Sequence, residues 1–241
     1  MIPKKIHYFW FGRNPKNNKI KDCLATFEIL KSSGYDVIEW NEDNYDVYKN
    51  DYTRHCYENK KWAHLSDFAR LDVLHEYGGI YLDADIEVVK NFDDLLNYSF
   101  VIGFMFDCNL GTAVICSEKR NNIINDLLNH YLTDTINLNA PNNDLMTTYF
   151  INNVNGFKLN GHDQVLDGVK VLEKNYFEQP SFLKRNNYTI HHFTNTWREV
   201  RFRKIKGIIF SVIGLYLYRK LLCYKALKIS PFYEKYKLDS Q

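Results

Sequence analysis

Asp83 and Asp85 stand two residues apart at the end of a short apolar run, Ile80-Tyr81-Leu82. In an extended chain residues i and i+2 leave the same face, so both carboxylates are expected to project together from the tip of a buried strand. Paired carboxylates repel unless a cation or a shared proton lies between them, and burying them bare is costly. A divalent metal resolves that conflict. Asp67 and Arg70 lie one helical turn apart just upstream. They form either a solvated surface pair or part of the same pocket, where the guanidinium fork would meet an anionic phosphate. Late in the chain, His191-His192 stands beside Thr194, Asn195 and Thr196 and could add a nitrogen or oxygen ligand to that metal. Strand alternation lets only one of the two imidazoles face it. Trp10 lies in the first apolar run and is either a core side chain or a platform for stacking on a base.

These groups need a scaffold, and the pattern predicts an α/β one. Ile6–Phe11 reads as a strand, Ile20–Ser33 as a helix with Leu24, Phe27 and Leu30 on one stripe, and Tyr35–Trp40 as a second strand. That β-α-β order argues for a parallel sheet. Tyr48–Lys61 is polar and carries no assignment. A helix over Ser66–Tyr77 ends at Gly78-Gly79, where the backbone must turn sharply into the aspartate strand. Strands are expected at Phe100–Phe106, Gly111–Cys116, Lys158–Leu159, Val169–Leu172 and Tyr188–Phe193. Helices are expected over Asn121–Leu132 and Asp144–Ile151, on either side of a turn-rich loop at Asn139–Asn143.

The 45% apolar and 25% charged content is that of a globular protein rather than a disordered or fibrous one, and 241 residues suffice for a full core. The net charge of +2 hides a division. From Arg198 to Lys228 nine basic residues face one acid, Glu199, so the remainder of the chain is acidic. Gly207–Tyr218 within that stretch is apolar, but as a helix it would be roughly 18 Å long against a hydrocarbon core of about 30 Å. It either lies in the interface of an anionic membrane or packs as a helix on the domain. Five cysteines without CxxC spacing suggest neither a zinc knot nor a disulfide framework, and the amino terminus lacks a secretory apolar core. A reducing cytoplasm is the expectation. No nucleic-acid motif is present to turn the basic tail into a nucleic-acid reader.

Three blocks in this order resemble glycosyltransferase family 32, the DXD sugar-binding transferases of bacterial capsule and polysaccharide synthesis. They are Ile2-Pro3-Lys4-Lys5-Ile6-His7-Tyr8-Phe9-Trp10, then Ser66-Asp67-Phe68-Ala69-Arg70 through Tyr77–Asp85, then His191–Trp197. Where family members commonly carry Ser before the last Trp, this chain has Thr196, which keeps the hydroxyl. The resemblance implies a GT-A fold over residues 1–200: α/β, Rossmann-like, a mostly parallel sheet flanked by helices. A basic, partly apolar helical tail would follow over 201–241. It further implies a nucleotide-sugar donor, UDP-sugars first, with Mn2+ or Mg2+ as cofactor. The implied acceptor is a saccharide or lipid-linked oligosaccharide, with retention at the anomeric carbon, on the inner face of the cell membrane. Trp10 and Trp197 would bind donor with Asp67, Arg70 and Asp83. Asp83, Asp85 and Arg70 would form the catalytic group, and Asp85, Asp83 and the His191/His192 block the metal shell. In such a transfer the diphosphate leaving group gains negative charge as the sugar carbon becomes cationic, and a cation with Arg70 would stabilise it.

Two rivals are distinguishable. A haloacid-dehalogenase-type phosphatase also places Asp-x-Asp after an apolar strand, but usually near the amino terminus and with Thr or Val where Glu87 stands. Release of inorganic phosphate without a nucleoside diphosphate would favour it. A non-enzymatic membrane adaptor would use only the tail.

Overall fold

A computed structural model describes residues 1–133, 142–194 and 203–241. Its strands are β1 (Lys5–Phe9), β2 (Asp36–Trp40), β3 (Gly79–Leu82), β4 (Ile86–Val88), β5 (Phe100–Phe106), β6 (Asn109–Ser117), β7 (Gln164–Leu166), β8 (Val169–Leu172) and β9 (Thr189–His191). Its helices are α1 (Asn18–Ala25), α2 (Glu28–Ser32), α3 (Asp51–Glu58), α4 (Trp62–Tyr77), α5 (Asn122–Thr133), α6 (Asn142–Asn153), α7 (Lys174–Phe177), α8 (Arg203–Ile229) and α9 (Tyr233–Asp239). Seven strands form one sheet in the order β2-β1-β3-β6-β5-β8-β7, while β4 and β9 form a separate two-stranded sheet. The amino-terminal β2-β1-β3 part is parallel, as its helical crossovers require, and β6 enters antiparallel to both β3 and β5. This is the Rossmann-like α/β sheet of a GT-A fold.

Side chains alternate across the sheet. Ile80 and Leu82 join one apolar cluster with Ile6, Phe27, Leu30 and Phe177, while Tyr81 between them joins the other with Phe9, Phe68, Phe100 and Phe104. The double glycine ahead of β3 is a steric requirement. Gly78 and Gly79 both have positive φ, at +63° and +112°, and a Cβ on either would come within 2.6 Å of backbone, at Lys119 N and Lys5 O respectively. Only a chain without side chains can leave α4 here and enter the sheet between β1 and β6.

Three stretches differ from the sequence reading, and a fourth, the expected helical tail, gains a break. The helix expected over Ile20–Ser33 is two helices, because the Thr26 hydroxyl donates to Cys23 O at 2.6 Å and accepts from Val88 N at 2.8 Å, fixing a break. The unassigned polar stretch contains α3, started by a reciprocal capping box between Asn50 and Thr53. Lys158–Leu159 is not a strand: Leu159 N–H donates to the Asp239 carboxylate, and Gln164 takes both backbone groups of Lys158. The tail is one long helix interrupted at Gly214, where φ is 74° and ψ 163°. From there on the tail packs against the domain: Arg219 and Cys223 are buried, and Phe232 and Tyr236 reach the larger apolar cluster. No helix among the described residues is long and apolar enough to cross a membrane.

Candidate active site

Beyond Leu82 the chain leaves the sheet. Asp83 N–H makes one more bond, to Ala113 O at 2.9 Å, and Ile86 N–H then closes back on Asp83 O at 3.1 Å. The aspartates therefore sit on a turn, not on the extended strand tip that their spacing suggested. Their carboxylates still converge, because the turn feeds β4, and the antiparallel β4–β9 pairing sets Ile86 opposite His191. One donor atom each from Asp83, Asp85 and His191 lies within 4.8 Å of the others.

Each aspartate has one oxygen tied down and one directed at the imidazole. Asp83 Oδ1 accepts from the Tyr81 hydroxyl at 2.5 Å and lies 3.6 Å from Arg70 Nη2, while its Oδ2 is 4.0 Å from His191 Nε2. Asp85 Oδ2 accepts from the backbone N–H and hydroxyl of Thr194 at 2.8 and 3.0 Å, while its Oδ1 is 3.3 Å from His191 Nε2. On the far side of the ring, Nδ1 meets the Glu178 carboxylate at 2.7 Å. A carboxylate on Nδ1–H is the arrangement that orients a metal-ligating histidine and leaves Nε2 for the ion. Two carboxylate oxygens and an imidazole nitrogen form a donor set that could hold a divalent cation.

The electrostatics are those of a cation-binding cluster. Burial opposes charge on His191, but Asp85 and Glu178 overcome it and push the imidazole up to about 10. Burial likewise opposes ionisation of Asp85, yet His191 and the two Thr194 donors hold it well below the usual carboxylate range. In the absence of a metal, a proton on His191 answers the charge of the pair. Asp67 behaves differently: burial pushes it up to about 6, against the pull of Arg70.

Arg70 is buried, which rejects the solvated-pair reading, but its fork is fully engaged by the protein. Nη2 bonds Asp67 at 2.8 Å, Nη1 donates to Thr112 O and Oγ1 at 2.8 and 3.1 Å, and Nε donates to Ser66 O at 3.2 Å. Its guanidinium also lies 4.6 Å from the Tyr81 ring centre. In this arrangement Arg70 braces Asp67 and Asp83 from behind. His192 is turned away from the cluster, its Nε2 2.8 Å from Glu87 Oε2, so His191 alone faces the aspartates. Trp10 is in neither apolar cluster; its Nε1–H donates to Asn14 O at 2.7 Å, and Lys16 Nζ lies 5.4 Å above its ring. Trp197 lies outside the described residues, as do Asn195 and Thr196.

Sequence reasoning missed Glu178, Thr194 as a donor to Asp85, and Arg219. Arg219 comes from α8, donates to His191 O at 2.5 Å and lies 4.1 Å from the Phe193 ring centre. Phe193 stacks on His191 at 3.8 Å with a left-handed φ of +48°, an uncommon conformation for a bulky residue. A pair of acids and a neighbouring histidine can be noticed in a sequence; partners brought from 13 and 28 residues away leave no local signal.

Comparison with known proteins bears on the same residues. A family model described as "Glycosyltransferase sugar-binding region containing DXD motif" matches residues 17–101. An uncharacterized glycosyltransferase of Acanthamoeba polyphaga mimivirus is 29% identical over 144 residues, 56% of this chain and 54% of that protein. Lactosylceramide 4-alpha-galactosyltransferase of Mus musculus is 35% identical over 71 residues, 30% of this chain and 19% of that enzyme. The chain thus spans about half or less of the curated relatives it matches. Among solved structures, the PaToxG Glycosyltransferase superimposes with a TM-score of 0.52 at 24% identity, over 64% of this chain and 70% of that one, which speaks for the fold. The matched segment runs through α4, the double glycine and the aspartate turn, and over it the chain is similar to the DXD-motif glycosyltransferases.

Proposed function

We propose that this protein moves a sugar from a nucleotide-sugar donor, UDP-sugars first, to a saccharide acceptor carried on a lipid, in surface or capsular polysaccharide synthesis. The observation that carries this reading is the convergence of Asp83, Asp85 and His191, with Glu178, Thr194 and Arg70 holding them. These three residues would hold Mn2+ or Mg2+, and the bound ion would neutralise negative charge gathering on the departing diphosphate. Tyr81 and Arg70 keep Asp83 aimed, and Thr194 helps hold Asp85 both ionised and aimed. Asp67, held by Arg70 and close to Asn142 at 3.4 Å, would accept from ribose or sugar hydroxyls. Trp10 would stack on the base, and Trp197 would complete the donor site. The acceptor hydroxyl needs positioning above all. Retention at the anomeric carbon and a location at the inner membrane face follow the family resemblance. The mouse relative's name, a transferase to lactosylceramide, favours a lipid-borne acceptor.

The deciding experiment is a nucleotide-sugar panel, scored for nucleoside diphosphate release with Mn2+, with Mg2+ and with EDTA. Release from one UDP-sugar, dependent on the ion, is expected. Phosphate release from sugar phosphates with no nucleoside diphosphate would replace the reading with a phosphatase.

A further inference from the structure

We propose that the outward face of α8 is a docking surface for an anionic lipid bilayer. The helix is two-sided. Arg219 and Cys223, four residues apart, are turned into the domain and buried. On the opposite side Leu217, Leu221 and Tyr224 follow at helical spacing and are 52%, 55% and 59% exposed. Lys220 flanks this apolar row on one side, Lys225 on the other, and Lys228 continues it, all exposed. The sequence has no Asp or Glu between Glu199 and Glu234, so nothing on the helix offsets these cations. Beside it the loop after Pro180 presents Phe182, 82% exposed, its ring 5.9 Å from that of Tyr216, and Arg185 is exposed in the same loop.

Single exposed apolar residues are ordinary, whereas a contiguous row rimmed by charge marks an interaction surface. The rim selects the occupant. A second copy of this chain would set lysine against lysine on both sides of the row. An anionic headgroup layer accepts the apolar centre at the acyl boundary and pairs with the lysines, whose stems also lie along apolar surface. The inference rests on the proposed lipid-borne acceptor only for its purpose; the surface itself is argued from exposure and charge.

Flotation of the full chain with neutral phosphatidylcholine vesicles, and with vesicles containing about a third phosphatidylglycerol, tests it. Binding is expected to the anionic vesicles, with release in about 1 M salt, where the screening length falls to about 3 Å. Leu221→Glu, and separately Lys220→Glu with Lys225→Glu, should lower the bound fraction by roughly tenfold or more. Donor hydrolysis in solution should stay unchanged in both variants, which also verifies folding. Equal flotation with neutral vesicles, no flotation with either, or self-association abolished by Leu221→Glu overturns the proposal. Flotation without any nucleotide-sugar turnover would sustain the docking surface while removing the transferase reading. Turnover without flotation would do the reverse.

Discussion

At the scale of single residues, the cluster divides its labour between oxygens that are held and oxygens that are offered. Asp85→Ala removes one offered oxygen and is expected to lower ion-dependent transfer by on the order of 10²–10³-fold, with Asp83→Ala also weakening donor use. Both variants should remain folded, since neither side chain carries core packing. Transfer within a few-fold of wild type would remove the assignment. Glu178→Gln leaves the ring in place but takes away the charge behind it, and should weaken Mn2+ binding by about 10–100-fold in a titration followed by fluorescence. Gly111→Ala reaches the same group sterically: an added Cβ would stand 2.1 Å from Glu178 Oε1, so the carboxylate that meets His191 must shift. Of these residues only the aspartates and the His191-His192 pair, without the choice between its members, were readable beforehand, because acid spacing and a paired histidine are local patterns. Glu178 looked like any charged residue, and its burial against Gly111 exists only once β6 and the end of α7 are assembled.

At the scale of elements, the site depends on three joins: α4 to β3 through the double glycine, β4 to β9, and α8 to the segment after β9. The first was legible because glycine pairs and apolar strand runs are strong local signals. The second was not, since a three-residue strand carries almost no pattern and its partner lies a hundred residues on. The third required knowing which face of the tail is buried. Arg219 acts through His191 O and Phe193 and is therefore a positioning residue. Arg219→Ala should lower Mn2+ affinity by roughly tenfold while leaving the unfolding midpoint nearly unchanged, and Arg219→Lys, which keeps the charge but not the planar fork, should recover part of the loss. An unchanged Mn2+ titration would show that α8 merely covers the domain.

At the scale of the whole molecule, the parallel part of the sheet is locked by His7 on β1. Trp40 Nε1–H can only donate, so His7 Nδ1 accepts at 3.1 Å and Nε2–H donates to Gly78 O at 2.9 Å. The ring is thereby fixed neutral, and burial lowers its pKa from 6.5 to about 4. The unfolded chain takes up a proton at this position below pH 6.5 while the folded chain does not until near pH 4. Stability present above pH 6.5 is therefore lost as pH falls through that window, by about 3 kcal/mol at most. Urea unfolding at pH 7 and pH 4.5 should show this loss, and His7→Gln should flatten the difference; equal slopes for the two proteins would exclude it.

Arg219 and Lys220 are adjacent in the chain, yet one touches the carbonyl of the cluster's histidine and the other looks out to solvent. A bilayer resting on the lysine side would stand off from that carbonyl by about one helix diameter, roughly 10–12 Å. The thickness of a single helix would then act as a ruler. Acceptors whose sugar sits close to the headgroup would span the gap, and those carrying the sugar on a long stalk would overshoot it. Varying the number of sugars between lipid and acceptor hydroxyl should accordingly give an optimum at short length on vesicles, and none with detergent-free soluble acceptors.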